Sequence, residues 1–193
     1  IHDAVTRAGG TAVLTEPALP SGSDRVWQAA CRVDPQGEHD LIINLQGDLP
    51  TFRPEDLRAV VDVMRDDRFD IGTLVAPITS EAEKNAASVV KVACDFSAGR
   101  AHAPALYFSR QSIPWGDGPL WHHVGVYGWR RAALAQFVGL APSGLEKREN
   151  LEQLRALESG MRIGCTRIQA APFGVDTPDD LERARGILGA AKR

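Results

Sequence analysis

Two aspartates have the surroundings expected of metal ligands. Asp48 in Gln46-Gly47-Asp48-Leu49-Pro50 and Asp176 in Gly174-Val175-Asp176-Thr177-Pro178 each follow an apolar stretch and precede turn or helix chemistry. Carboxylates at such strand ends converge on one edge of a sheet. A pair of them could hold Mg²⁺, a hard cation that prefers carboxylate, water and phosphate oxygens. The same positions equally suit residues that only cap a turn or a helix. Ser21-Gly22-Ser23-Asp24-Arg25 leads into a helical stretch. Its hydroxyls, backbone N–H groups and guanidinium could meet a nucleotide, or could simply cap that helix. Cys31, Cys94 and Cys165 are far apart, odd in number and not in a CxxC pair, which speaks against a disulfide framework or structural zinc. His122 and His123 are adjacent, a spacing that sends two side chains in different directions.

The elements that must carry these residues alternate between strand and helix. Ile1 to Ala8 reads as the tail of an amphipathic helix stopped at Gly9-Gly10, so the chain is expected to start inside a structural unit. Thr11 to Thr15 reads as a strand, followed by a Pro/Gly/Ser loop and a helix from about Asp24 to Cys31. Asp40 to Gln46 is nearly continuous in apolar residues and predicts a buried parallel strand that opens into the Asp48 loop. Pro54 with Glu55 and Asp56, then Leu57, Val60, Val61 and Met64, predicts a helix. Further strands are expected at Ile71 to Ile78, Val89 to Cys94, Ala105 to Ser109, Gly125 to Trp129 and Met161 to Ile168. Ile113 to His122 reads as a surface loop. One helix is expected over Leu145 to Ser159, and a last one after the cap Thr177-Pro178-Asp179-Asp180. The alternation predicts an α/β fold in one domain spanning residues 1–193.

Composition narrows the partners. With 44% hydrophobic and 24% charged residues the chain is an ordinary globular one. A formal net charge of -3 argues against a general nucleic-acid or anionic-membrane binder, so any phosphate site must be local. No apolar run reaches the roughly 20 residues that cross a bilayer, and the chain reads as cytoplasmic.

These segments together resemble the 3-deoxy-manno-octulosonate (Kdo) cytidylyltransferase family of lipopolysaccharide biosynthesis. The resemblance is carried by Pro20 to Arg25, Asn44 to Pro50, Val89 to Val92, Ala105 to Arg110, His123 to Gly128, Leu151 to Arg155 and Gly174 to Pro178, in order along the whole chain. It implies a nucleotidyltransferase fold, Rossmann-like and of glycosyltransferase-A type: a three-layer α/β sandwich with a mixed, mainly parallel sheet, usually in a homodimer. It implies CTP and Kdo as substrates, CMP-Kdo and pyrophosphate as products, and Mg²⁺ as cofactor. Asp48 and Asp176 match the family's magnesium aspartates, and Ser21, Gly22 and Arg25 its nucleotide-binding segment. Arg110, His123, Tyr127, Glu152 and Gln153 match positions lining the sugar, with Gln46 between the two substrates. Taken singly, Tyr127 also suits a core position, His123 a strand edge, and Glu152 and Gln153 a solvated helix face.

The chain departs from the family at its start, where the opening strand and its Gly/Arg/Lys loop for the triphosphate are expected before Ile1. The resemblance therefore covers about the C-terminal four-fifths of such an enzyme, lacking its first βα unit, and the chain alone is expected to be inactive and poorly stable. Smaller departures are Leu19 where histidine is common, Gly144 where proline is frequent, and a short Gly116 to Trp121 loop. Two further readings stay open: a cytidylyltransferase for another acidic sugar, such as 8-amino-Kdo or a sialic acid, and a non-catalytic sugar-nucleotide binding or dimerisation module.

Overall fold

The computed structural model describes residues 1–175 and 177–190. Helices α1 (His2–Arg7) and α2 (Gly22–Val33) precede strand β1 (Leu41–Asn44), helix α3 (Pro54–Val63), strand β2 (Ile71–Pro77), helix α4 (Glu81–Asn85) and strand β3 (Lys91–Ala93). A 3₁₀ turn at Ser97–Gly99 leads to β4 (His102–Pro104) and β5 (Tyr107–Ser109). The long β6 (Trp121–Arg130) follows, then α5 (Arg131–Val138), α6 (Gly144–Glu149), α7 (Gln153–Glu158), β7 (Ile163–Arg167) and α8 (Pro178–Ala190).

The strands form one mixed sheet in the order β4-β7-β2-β6-β3-β5, with β1 also paired to β6. An α/β fold with a mixed sheet is what the sequence led us to expect. The parallel share is smaller than expected: among the described residues only β2 and β7 pair in parallel, and the other five pairings are antiparallel. The reason is β6, which runs opposite to β1, β2 and β3 and pairs with all three. For the same reason β1 is antiparallel to its neighbour and mostly half-buried, not a buried parallel strand.

The sheet curls until its edges meet. Strands β4 and β5 belong to one extended segment, whose first half lies on β7 and whose second half lies on β3. At the crossing, Ala105 N–H donates to the Ile163 carbonyl and Leu106 N–H to the Ala93 carbonyl, each at 2.8 Å. Ile71, Val75, Val92, Phe108, Ile163 and Cys165 belong to the core that this curl encloses together with α5 and α7. The opposite face of β2 and β6 carries Leu74, Ala76, Val124 and Val126, which cluster with Val60 of α3. Between Thr73 and Leu74 the register on β6 jumps from Tyr127 to Val124, leaving Gly125 and Val126 as additional residues. An even insertion preserves the in-and-out alternation of β6, so both faces stay apolar where they are buried.

Helix α3 sits unusually close to the sheet. Gly72 lies opposite Gly128 on one side and Gly164 on the other, a row of three glycines across β6, β2 and β7. A Cβ at Gly72 would lie 2.5 Å from Val63, at Gly128 2.8 Å from Val60, and at Gly164 2.5 Å from Phe69.

Three further expectations are corrected. Thr11–Thr15 is unpaired among the described residues; the Leu14 carbonyl and the Glu16 N–H instead bond to the side chains of Arg32 and Gln28 on α2. Residues 145–159 form two helices, because Asn150 turns left-handed at φ 55° and ends α6. Trp121 and His122 belong to β6, not to the preceding loop.

Candidate active site

The segment expected to meet the nucleotide sits at the start of α2. Ser21 is its N-cap, extended at φ -140° and ψ 170°, and its hydroxyl accepts from Asp24 N–H at 3.3 Å while donating to the Asp24 carboxylate at 2.7 Å. Arg25 donates to the carbonyls of Ser21 at 3.2 Å and Pro17 at 3.5 Å, so its guanidinium pins the loop before the helix. Beside Gly22 there is open space: an added Cβ would meet nothing within 4 Å. Ser23, one residue further, is buried and turns inward, donating to Glu152 Oε2 at 3.1 Å.

The residues expected to hold magnesium divide between the loop after β1 and the segment after β7. Gln46 and Asp48 are exposed, and the Asp48 carboxylate takes no protein partner among the described residues. Two contacts hold this loop to the segment that follows β7. Val175 N–H donates to the Asp48 carbonyl at 2.9 Å, and the Thr51 hydroxyl donates to the Phe173 carbonyl at 3.3 Å while accepting from Phe173 N–H at 2.8 Å. The structure thus ties Asp48 to the residue preceding Asp176; Asp176 itself lies outside the described residues. No three His, Cys, Asp or Glu side chains cluster to hold a metal among the described residues. Hard, unpartnered oxygens on one carboxylate fit Mg²⁺, which keeps several waters and takes only one or two protein carboxylates beside substrate phosphates.

Most of the residues expected to line the sugar come from β6, the residue before α7 and the start of α7. Asn44, the last residue of β1, is in register with Tyr127, so the Asp48 loop springs from beside that tyrosine. Tyr127 in turn packs its ring 5.5 Å from that of His123. The buried Thr73 hydroxyl lies 2.9 Å from the Val126 carbonyl and 3.2 Å from that of Val124, and 3.0 Å from His123 Nε2. A hydroxyl that donates to those carbonyls accepts the Nε2 proton, which leaves Nδ1 as an acceptor. Burial holds the His123 pKa down to about 3, so the ring is neutral at physiological pH. Burial first, and then the Glu152 carboxylate, push the Tyr127 hydroxyl well above its ordinary value, keeping it a proton donor. Tyr127, Glu152 and Gln153 line one small cavity of about 30 Å³ together with Ser23, Trp129 and Phe137.

Arg110 is placed differently. Its guanidinium donates to the carbonyls of Glu149 at 2.9 Å, Ala87 at 3.0 Å and Asn150 at 3.2 Å. Two of its five N–H groups remain without a protein acceptor among the described residues. It buttresses the α6–α7 turn two residues before Glu152, with help from the Glu149 carboxylate, which accepts from Ser109 and from Arg110 N–H. Behind it the fully buried Lys91 donates to the carbonyls of Ala86 at 2.7 Å and Arg110 at 3.2 Å, with burial lowering its pKa.

The structure therefore brings Tyr127, His123, Glu152 and Gln153 together, sets the Asp48 loop beside them, and joins the α2 start through Ser23. Sequence reasoning missed Thr73, Trp129, Lys91, Glu149 and the inward turn of Ser23. Thr73 and Lys91 carried a signal, being polar residues within otherwise apolar strands.

Comparison with known proteins shows the family. The cytidylyltransferase family model matches residues 1–163. The 3-deoxy-manno-octulosonate cytidylyltransferase of Parvibaculum lavamentivorans is 57% identical over 97% of this chain and 72% of its own length. That of Rhodospirillum centenum is 54% identical over 97% of the chain and 73% of its own length. Among solved structures, a CMP:2-keto-3-deoxy-manno-octonic acid synthetase complexed with CTP superposes with a TM-score of 0.88 at 37% identity, covering 98% of this chain and 77% of that one. A UDP-glucose pyrophosphorylase at 8% identity and TM-score 0.64 shares the fold alone. The chain belongs to the cytidylyltransferase family, among the 3-deoxy-manno-octulosonate cytidylyltransferases.

Proposed function

We propose that the protein carrying this chain performs cytidylyl transfer from CTP to Kdo, giving CMP-Kdo and pyrophosphate. The observation that carries this reading is the register of Asn44 with Tyr127, which places the exposed Asp48 loop beside the wall formed by His123, Tyr127, Glu152 and Gln153. The sugar's anomeric hydroxyl attacks the α-phosphorus in line, its oxygen forms the new P–O bond, and the bond to the β-phosphate oxygen breaks. Asp48, with Asp176, would hold Mg²⁺, which when bound screens the repulsion of two anionic substrates and favours loss of the attacking hydroxyl's proton.

The chain's own groups supply the rest. Ser21 and Gly22 present the start of α2 to the nucleotide, where backbone N–H groups favour an anion. Arg25 keeps that loop in place, and Gln46, exposed in the loop that carries Asp48, would stand between the substrates. Neutral His123 and protonated Tyr127 offer an acceptor and a donor to sugar hydroxyls, and the Glu152 and Gln153 side chains add further partners. The two unused N–H groups of Arg110 suit the sugar carboxylate, since a planar fork can make two charge-assisted bonds. A cytoplasmic homodimer is part of this reading; no helix among the described residues is long and apolar enough to cross a membrane.

Pyrophosphate release from CTP, Kdo and Mg²⁺ by the protein carrying this chain tests the reading. Release should require all three, and Asp48→Ala should reduce it at least about a hundredfold. Release that is indifferent to Kdo, or that survives Asp48→Ala, would sink it. Sedimentation of the same protein decides the dimer.

A further inference from the structure

We propose that Ser23 is a positioning residue that aims the Glu152 carboxylate at the sugar acceptor. This rests on the cytidylyl-transfer reading above. Ser23 occupies the second position of α2, two residues after the N-cap, where a hydroxyl has no capping duty, since Ser21 already bonds Asp24 N–H. It is only 6% exposed, and its hydroxyl donates to Glu152 Oε2 at 3.1 Å across 129 residues of sequence. That is the only hydrogen bond the Glu152 carboxylate makes among the described residues, so one oxygen is held and the other is left to accept from a ligand.

The geometry around the pair supports the same role. Glu152 stands at the N-terminal boundary of α7, in helical conformation, and it begins the run Glu152-Gln153 that faces the cavity shared with Tyr127. Trp129 lines that cavity too; it is 2% exposed, and its indole Nε1–H finds no acceptor among the described residues. A pocket of about 30 Å³, walled mainly by apolar atoms, is too small for a sugar ring and large enough for one ordered water, which needs two to four polar partners. Such a water would join the Trp129 N–H to the oxygens of Glu152 and Tyr127 beneath the sugar. Ser23 closes this pocket from the α2 side.

Steady-state kinetics with Ser23→Ala and Ser23→Thr, on the protein carrying this chain, separate positioning from mere packing. Ser23→Ala should raise KM for Kdo about tenfold, the scale of losing one hydrogen bond to a charged group, and leave KM for CTP within about twofold. Ser23→Thr keeps the hydroxyl and should return KM for Kdo to within about threefold of wild type. An unchanged KM for Kdo in Ser23→Ala, an equal rise in both KM values, or a threonine variant no better than alanine would overturn the proposal. The indole N–H resonance of Trp129, assigned with Trp129→Phe, gives a reading that needs no turnover: it should move in Ser23→Ala and stay in Ser23→Thr. A wild-type protein that releases no pyrophosphate with Kdo would defeat the substrate reading, and an immobile Trp129 resonance would then still defeat the Ser23 geometry.

Discussion

At the scale of single residues, His123 shows how burial sets a chemical state. The unfolded chain takes up a proton near pH 6.5, whereas the folded ring does so only near 3. Above pH 6.5 neither state binds that proton and stability does not depend on it. Below, the unfolded state binds the proton and the native state refuses it, so stability falls with pH by about 1.4 kcal/mol per unit down to about 3. Urea unfolding at pH 7, 5.5 and 4.5 should show this slope, and His123→Gln should flatten it in the same window. A slope that survives His123→Gln would assign it elsewhere, with His122, whose pKa burial also lowers, next to be examined. Thr73→Val should cost about 2–3 kcal/mol in the same assay, because it strands the buried His123 Nε2–H. The sequence showed which residue types could meet a sugar, but it could not show these partners, which come from a different strand and depend on a two-residue insertion in β6.

Elements were legible where their punctuation was local. Pro54 with its acids, the Ser21 cap and the Thr177 cap mark helix starts that the structure keeps, with Asp180 N–H donating to Thr177 Oγ1 at 3.2 Å. Helix α5 was missed because it starts directly out of β6 without a capping side chain. The stripe Leu151, Leu154, Leu157 suggested one helix over Leu145 to Ser159, yet the break at Asn150 is set by distant residues: Arg110 takes the carbonyls of Glu149 and Asn150. Across the break Arg155 holds Glu146 with bonds of 2.8 and 2.5 Å, both side chains buried, and its guanidinium lies 4.7 Å over the Phe137 ring. Arg155→Ala leaves a buried carboxylate without its cation and should cost about 3–5 kcal/mol, read as a lower urea midpoint. If the loss stays under about 1 kcal/mol, this pair does not hold α6 to α7. Because α7 begins beside Glu152, the same variant should also raise KM for Kdo.

At the scale of the whole molecule, the α/β class and one continuous sheet followed from alternating patterns, while the pairings did not. No local signal shows that β6 takes three antiparallel partners or that the sheet closes at Ala105 and Leu106. The glycine row could not be read either, because Gly72, Gly128 and Gly164 are far apart in sequence and meet only through register. Gly164→Ala would press a methyl group into Phe69 and should destabilise the fold by about 1–3 kcal/mol, measured by thermal melting. A neutral Gly164→Ala would mean that α3 and Phe69 can yield.

The row has a mechanical meaning as well. Helix α3 is clamped near its C-terminal end, where Val60 and Val63 touch the glycines, while its N-terminal end joins directly to the Leu49–Arg53 segment behind Asp48. Held there by the glycines and at its other end by the Thr51 and Asp48 bonds to the segment after β7, the helix is a strut of fixed height: a side chain at any of the three glycines would lift it off the sheet and carry the Asp48 loop with it.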